Sequence, residues 1–357
     1  MAAVELAWYG CDLRTGGISE ELPALRPDQP LSMRIGTPTS GSLSLALAGA
    51  PPEWEAATDP GRSMLVAVDT LTGQPLWSGL VLRREGGSGP TATLQVATPE
   101  AYLDRRYPGD YTATADASTV MSALATPALT SGPPLALDTT ASGTTITYTM
   151  ADSDDRTVLS ALQEIAAMAG GPEWTIDTVW GDAAQTKFQL YLRIRPTLGS
   201  TSGDAAFDMP GCISSYSLTE SYERGKGATR VTARGDQTGN VRSSSTVHTA
   251  DALIASGWGL WEHRWTPAQG ITDTAQLDRH ATEALALMGT GTRAWTVTAV
   301  ASAAPRLGSA WDLGDTVSIT VDSSPRHPAG ISTTARAYAW TLDPRADRVS
   351  PILLEDE

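Results

Sequence analysis

"DDRTVLSALQEIAAMAGGPEWTIDTVW", residues 154–180, changes from the hydrophobic period of a helix to that of a strand within a few residues. Apolar side chains at helical spacing form one stripe: Val158, Leu159, Leu162, Ile165, Ala166 and Ala169. Ser153 or Asp154 is the expected N-cap, and Gly170 is the expected end of the helix. After Pro172 the period becomes two, so Trp174, Ile176 and Thr178 share one face. The segment predicts a helix followed directly by an extended strand.

Glu173 and Asp177 flank Trp174 in this segment, a combination that also occurs in sugar-cleaving sites. On a strand, four residues separate two carboxylates by roughly 13 Å at ~3.3 Å per residue. Retaining glycosidases need a separation of about 5.5 Å, and inverting ones about 6.5–9.5 Å. We therefore predict that these two residues belong to the polar face of a strand and are not a catalytic pair.

Strand patterns continue on both sides of the segment. Downstream, "KFQLYLRIRP" (187–196) alternates and predicts a hairpin with the preceding strand. Upstream, residues 63–70 and 76–85 read as strands joined by a turn at 71–74. Beyond residue 210 several further strand patterns surround one capped helix, 274–288, with Asp273 as its N-cap. These patterns predict a mainly β protein with minor α, that is, a β-rich α+β fold.

We expect three parts: residues 1–100 and 211–357 as β-domains, and 101–210 as an α+β module between them. The 33 Gly and 23 Pro residues are consistent with many turns between short strands. Cys11 and Cys212 are too few for a disulfide framework. Two buried thiols are favoured over a bridge, which stays the alternative.

The net charge of −15, with 40 acidic and 25 basic residues, argues against specific nucleic-acid binding. Phosphate recognition depends on clustered Lys and Arg. The N-terminus carries no secretion-signal pattern, and no apolar run reaches the ~20 residues that a membrane span needs. We expect synthesis in the cytoplasm and no membrane span.

No catalytic motif is present: neither a nucleophile elbow, a phosphate-binding loop, nor a zinc-binding H-E-x-x-H. The four histidines lack metal-ligand spacing. The sequence therefore predicts no catalytic residue, no metal and no cofactor, and the protein is not expected to be an enzyme.

Trp258, Trp261 and Trp265 lie in the segment "SGWGLWEHRW" (256–265). They fit either the core of a domain junction or the anchors of a subunit interface, where tryptophan is enriched. Gly257 and Gly259 indicate a loop and favour the interface.

The order of parts resembles a known family. A β-domain containing "LWSGLVLRREGG" precedes a middle module with "GGPEWTIDT", and a second β-domain contains "GATRVTARGD", "LGDTVSITV" and "TARAYAWTLDPRADRVSPIL". This arrangement is similar to the hub, or minor tail, proteins at the tail tip of siphophages of actinobacteria. Their fold is similar to that of the baseplate hub of contractile-tailed phages. The scarcity of lysine and asparagine fits a GC-rich genome.

The resemblance implies a homotrimeric virion protein with two tail-tube-like antiparallel β-barrel domains per subunit. Three subunits would match the hexameric tail tube above and a three-fold tip below, and would line the channel through which DNA is ejected. Its implied partners are the distal tail or tail-tube proteins, the tape measure protein, and a tail fibre or receptor-binding protein for host attachment. Some relatives carry an added lytic or fibre domain, which we do not expect here.

Two alternatives remain. A distal tail protein would be a hexameric adaptor without the middle module. A β-rich glycan-binding protein or hydrolase would use the tryptophans, but the missing carboxylate pair argues against it.

Overall fold

The computed structural model describes residues 4–238, 241–266, 271 and 273–354, with the side chains of 236–238 left aside. The protein is mostly β with few helices, so the predicted β-rich α+β class is confirmed. Cys11 and Cys212 are both buried free thiols and form no bridge. Burial raises the pKa of the Cys11 thiol to about 12.

The first part of the chain builds a seven-stranded antiparallel sheet in the order β2-β1-β6-β7-β8-β5-β3. Its elements are β1 (Leu6–Asp12), β2 (Ile18–Glu21), β3 (Leu25–Pro27), β4 (Leu31–Arg34), β5 (Ser40–Ala46), α1 (Trp54–Ala57), β6 (Ser63–Asp69), β7 (Pro75–Glu85) and β8 (Thr91–Ala97). β6 and β7 form the predicted hairpin. β4 is not part of this sheet.

Strand β6 is buried at every position because both faces of its sheet are covered. Leu65 and Ala67 point into the core shared with the third part of the chain. Met64 and Val66 point the other way, into the core of the middle module. Alternate residues of a strand face opposite sides, so the central residues 64–68 of this doubly covered strand are all apolar.

The middle module combines two small sheets with helices. Its elements are α2 (Glu100–Leu103), β9 (Tyr111–Asp116), α3 (Ala117–Thr130), β10 (Leu135–Thr139), β11 (Thr145–Met150), α4 (Val158–Ala166), β12 (Glu173–Trp180) and β13 (Phe188–Arg195). β12 and β13 are the predicted hairpin, with Trp174 opposite Ile194 and Trp180 opposite Phe188. β10 runs parallel to β13, and β9 pairs with β11.

Helix α4 begins later than its sequence pattern indicates. The prediction that Ser153 or Asp154 caps it is wrong, since the hydroxyl of Thr157 accepts the capping bond from the Ser160 N–H at 3.2 Å. Asp155 has a φ of 50°, a left-handed conformation that no α-helix continues through. The helix ends at Ala166, and Gly170, with a φ of 64°, lies in the turn that leads to β12.

The third part forms a second sheet in the order β14-β21-β22-β23-β20-β15. Its elements are β14 (Ala205–Met209), β15 (Ile213–Ser221), β16 (Arg230–Thr238), β17 (Val241–Ser244), β18 (His248–Thr249), α5 (Asp251–Ala255), β19 (Glu262–Trp265), α6 (Thr274–Met288), β20 (Thr292–Val300), β21 (Thr316–Val321), β22 (Ile331–Asp343) and β23 (Arg348–Leu354). The strands from β16 to β19 form a separate small sheet against α6. We call β16 to α6 (230–288) the inserted module.

The two large sheets are joined by backbone pairing and by a common core. β4 pairs with β22, with Leu31 opposite Leu342. Trp8 and Trp77 belong to the same hydrophobic cluster as Phe207 and residues of β20 to β23. The division into 1–100, 101–210 and 211–357 therefore stays a prediction about folding units, and its outer two parts share one core.

Candidate functional site

Glu173 and Asp177, the carboxylates considered for catalysis, are each held by an arginine. Arg336 of β22 donates from Nη1 to Oε1 of Glu173 at 2.6 Å and from Nη2 to Oε2. The Leu198 N–H donates to the same Oε2 at 2.8 Å. Arg193 donates from Nε to Asp177 at 2.8 Å. Both carboxylates therefore act as ion-pair partners, and Glu173 ties the middle module to the second sheet.

Burial raises the pKa of Asp177, and the neighbouring Arg193 lowers it in part. Asp177 also borders a small cleft with Asp312. Among the residues that the structure describes, no group of three His, Cys, Asp or Glu side chains is placed to hold a metal ion. No helix in the described ranges has the length and apolarity of a membrane span.

Two of the three tryptophans predicted as interface anchors are exposed next to each other. Trp258 is 37% exposed and Trp261 is 55% exposed. Both rings contact Tyr222, at centroid distances of 5.1 and 5.8 Å. Leu260 between them is 53% exposed. These four residues form an exposed apolar surface, which we call the tryptophan surface.

The tryptophan surface has a fixed backbone. The Trp261 N–H donates to the Thr229 hydroxyl at 2.8 Å, and the Trp261 carbonyl accepts from the Thr229 and Arg230 N–H groups at 3.0 Å. Tyr222 and Leu260 were not among the predicted interface residues. Leu260 lay within the quoted segment, whereas the contact of Tyr222 joins residues far apart in sequence.

Trp265 is placed differently from the other two. It packs against the small core of the inserted module, which contains Val231, Leu277 and Ala281. Its ring meets that of His280 edge to face at 4.9 Å. Trp265 thus contributes to the packing of α6 and is not part of the tryptophan surface.

His280 connects the inserted module to the middle module. It is fully buried, and its Nδ1 accepts a hydrogen bond from the Ala169 N–H at 2.9 Å. One turn along α6, Glu283 accepts from the Gly170 N–H at 3.1 Å. Burial lowers the pKa of His280 to about 4, assisted by the charge of Arg279. The ring is therefore neutral at pH 7 and accepts the hydrogen bond from the segment that follows α4.

No protein-family model and no curated protein matches the chain. Solved structures match it over nearly its whole length. The tail protein from Neisseria meningitidis MC58 is 13% identical with a TM-score of 0.60, covering 99% of this chain and 97% of that one. The 43 kDa tail protein of prophage MuSo2 from Shewanella oneidensis is 12% identical with a TM-score of 0.62, covering 98% of both.

The prophage tail protein gp18 from Listeria monocytogenes EGD-e is 10% identical with a TM-score of 0.57, covering 94% of this chain and 91% of that one. The TM-scores of 0.57 to 0.62 show a shared fold, whereas identities of 10–13% leave the functions of the chains to be compared separately. The resemblance found in the sequence is confirmed at the level of the fold: this chain has the fold of these tail proteins.

Proposed function

We propose that this protein is a structural component of a phage tail. The observation that carries this proposal is a shared fold over at least 94% of the chain with three solved proteins, each named as a tail protein. Coverage of at least 91% of those chains means that no large part of either protein lacks a counterpart. The order of β-domain, middle module and β-domain supports a more specific role, the hub of a siphophage tail tip.

In this role three copies form a ring between the hexameric tail tube and the three-fold tip. The ring lines the DNA exit channel and contacts the distal tail or tail-tube proteins, the tape measure protein, and a tail fibre or receptor-binding protein. The protein acts by assembly and has no hydrolytic activity of its own. Its place is in the virion.

We place the subunit contact at the tryptophan surface. A neighbouring copy would remove the exposed 37–55% of Trp258, Leu260 and Trp261 from water, which gains a share of the ~1.5–3 kcal/mol that full burial of a large apolar side chain contributes. Clustered tryptophans are typical anchors of protein interfaces. The bonded backbone at Trp261 means that little ordering is required on association.

Size-exclusion chromatography with light scattering tests this proposal. The chain mass is 37.5 kDa, and we expect a particle of three times that mass. The double variant Trp258→Ser/Trp261→Ser should be monomeric, whereas Leu71→Ser, which replaces a still more exposed apolar residue at the β6–β7 turn, should remain trimeric. A hexamer or a monomer of the wild type would contradict the hub. A trimeric double variant would contradict only the placement of the contact.

A further inference from the structure

A cleft of about 360 Å³ lies where all three parts of the chain meet. Its walls come from the loop after β4, from the end of α4, from the start of β12 and from Tyr338 of β22. Gly36 connects two of these walls: its N–H donates to the Trp174 carbonyl at 2.9 Å, and its carbonyl accepts from Gln163 Nε2 at 3.0 Å. The shape of the cleft is thus fixed by hydrogen bonds between the parts.

The indole N–H of Trp174 is the feature that points to a ligand. Trp174 lines the cleft and is 0% exposed, and its Nε1 has no hydrogen-bond partner among the described residues. A Cβ added at Gly36 would lie 3.4 Å from that nitrogen, so the N–H edge of the ring lies against the glycine, which lines the same cleft. A buried donor without an acceptor carries the full cost of its desolvation. An acceptor entering the cleft would remove that cost.

The charges of the residues that line the cleft favour a neutral acceptor over an anion. Glu173 is the one charged residue among the nine that line the cleft, and Arg336 and the Leu198 N–H already occupy both of its oxygens. None of the nine is Lys, Arg or His. An anion buried here would lose its hydration without gaining a cation, whereas a neutral carbonyl loses much less. Gln163 also lines the cleft, and its amide oxygen can in turn accept from an N–H₂ group.

We propose that this cleft binds a carboxamide: its C=O accepts from Trp174 Nε1 and its N–H₂ donates to Gln163. The source is the Asn or Gln side chain of a partner protein, seated where the three parts of the chain meet. The proposal does not depend on the tail function or on the oligomeric state.

Indole N–H spectra of the ¹⁵N-tryptophan-labelled protein test the proposal, with the Trp174 signal assigned by its absence in Trp174→Phe. Acetamide should shift this signal saturably, while sodium acetate at equal concentration should not. The Trp311 indole, whose N–H already donates to the Pro305 carbonyl at 3.0 Å, should not move. An unmoved Trp174 signal, or an equal response to acetate, overturns the proposal.

Two further comparisons locate the site and its source. Ala167→Met fills the mouth of the cleft from an exposed position and should weaken acetamide binding at least tenfold. Ala123→Met, at an exposed position of α3, should change it less than twofold. The peptide acetyl-Gly-Gln-Gly-amide should bind at least fivefold more tightly than acetyl-Gly-Met-Gly-amide. Equal binding of the two peptides, or no effect of Ala167→Met, overturns the assignment.

Discussion

Asp69 and Arg306 form a buried ion pair between the first sheet and the third part of the chain. The guanidinium donates from Nε and Nη2 to the two carboxylate oxygens at 2.7 and 2.5 Å, and the residues are 1% and 7% exposed. Burial alone would raise the pKa of Asp69, but the bonds and charge of Arg306, together with the bonds from the Leu71 N–H and Thr72, outweigh it and hold the pKa below its ordinary value. The pair therefore contributes stability at neutral pH that is lost as pH falls through the lowered pKa.

Arg306→Met leaves the Asp69 carboxylate buried without its cation and should lower the free energy of unfolding by about 3–5 kcal/mol. The double variant Asp69→Asn/Arg306→Met should lose less, because no unpaired charge remains. Arg62→Met, at an exposed pair with Asp59, is the control and should cost about 0–1 kcal/mol. Urea unfolding at pH 7 measures all three. Equal losses in the single and double variants would show that the carboxylate left without its cation carries no penalty.

Glu173 and Asp177 should matter for stability and not for chemistry. Glu173→Gln removes the charged partner of half-buried Arg336 and should lower stability by about 1–3 kcal/mol. Asp177→Asn should cost less, because Asp138 also lies 3.6 Å from Arg193. Thermal unfolding checks the order of the two effects. The purified chain should release no sugar from peptidoglycan or polysaccharide, and cleavage that either substitution abolishes would show the prediction to be wrong.

At the level of helices and strands, the sequence predicts those features that depend on residues close together in the chain. Asp273 caps α6 by accepting from the Ala275 N–H, as its position before an apolar stripe indicates. The β12–β13 hairpin follows from alternation on both sides of a short loop. The start of α4 was missed because a left-handed Asp155 is not visible in a hydrophobic period. Likewise, nothing local marks His280 as buried, since its partner, Ala169, is 111 residues away.

The contact between His280 of α6 and Ala169, in the segment that follows α4, should depend on pH. The pKa of His280 is lowered to about 4 in the folded protein, so the unfolded chain binds a proton there first as the pH falls below about 6.5. The contribution of His280 to the free energy of unfolding is complete above pH 6.5 and is lost as the pH falls from 6.5 towards 4. Each unit of difference in pKa corresponds to ~1.4 kcal/mol, so the loss of unfolding free energy should be on the order of 3 kcal/mol.

His280→Gln, which offers an amide oxygen to the Ala169 N–H but does not titrate, should reduce this pH dependence. Urea unfolding of both proteins at pH 7, 6, 5 and 4 provides the comparison. The carboxylates contribute equally to both, so the difference between the two curves isolates His280. Curves that stay parallel down to pH 4 would show that His280 titrates alike in the folded and unfolded states.

For the whole molecule, the class of fold was predictable but its long-range connections were not. β4 belongs to the first part in sequence and to the second sheet in space, because Leu31–Arg34 pairs with residues about 300 positions away. No periodicity contains that information. The inserted module was likewise read as part of one β-domain, since its strands alternate like the others. Its separate sheet follows from the packing of Val231 and Ala233 against α6.

If three copies form the proposed ring, the charge of its channel surface is constrained by the passage of DNA. DNA leaving a particle must not be retained, and each Lys or Arg that neutralises a phosphate adds affinity through counterion release. The chain has 40 acidic and 25 basic residues, and arginines in all three parts already pair with carboxylates, such as Arg83 with Glu85, Arg156 with Glu164 and Arg326 with Glu220. We therefore expect the channel surface of the trimer to be net negative or neutral.

Summing the charges of the residues that line the axis in an imaged tail tip measures this directly. A second measurement is retention of duplex DNA by the purified ring at 50 mM salt, which should be absent. If acidity served only solubility, it would lie on the outer surface and the channel could carry either sign. A net positive channel would contradict the prediction. Such a ring could still be soluble, but it would retain the phosphates that it is proposed to let pass.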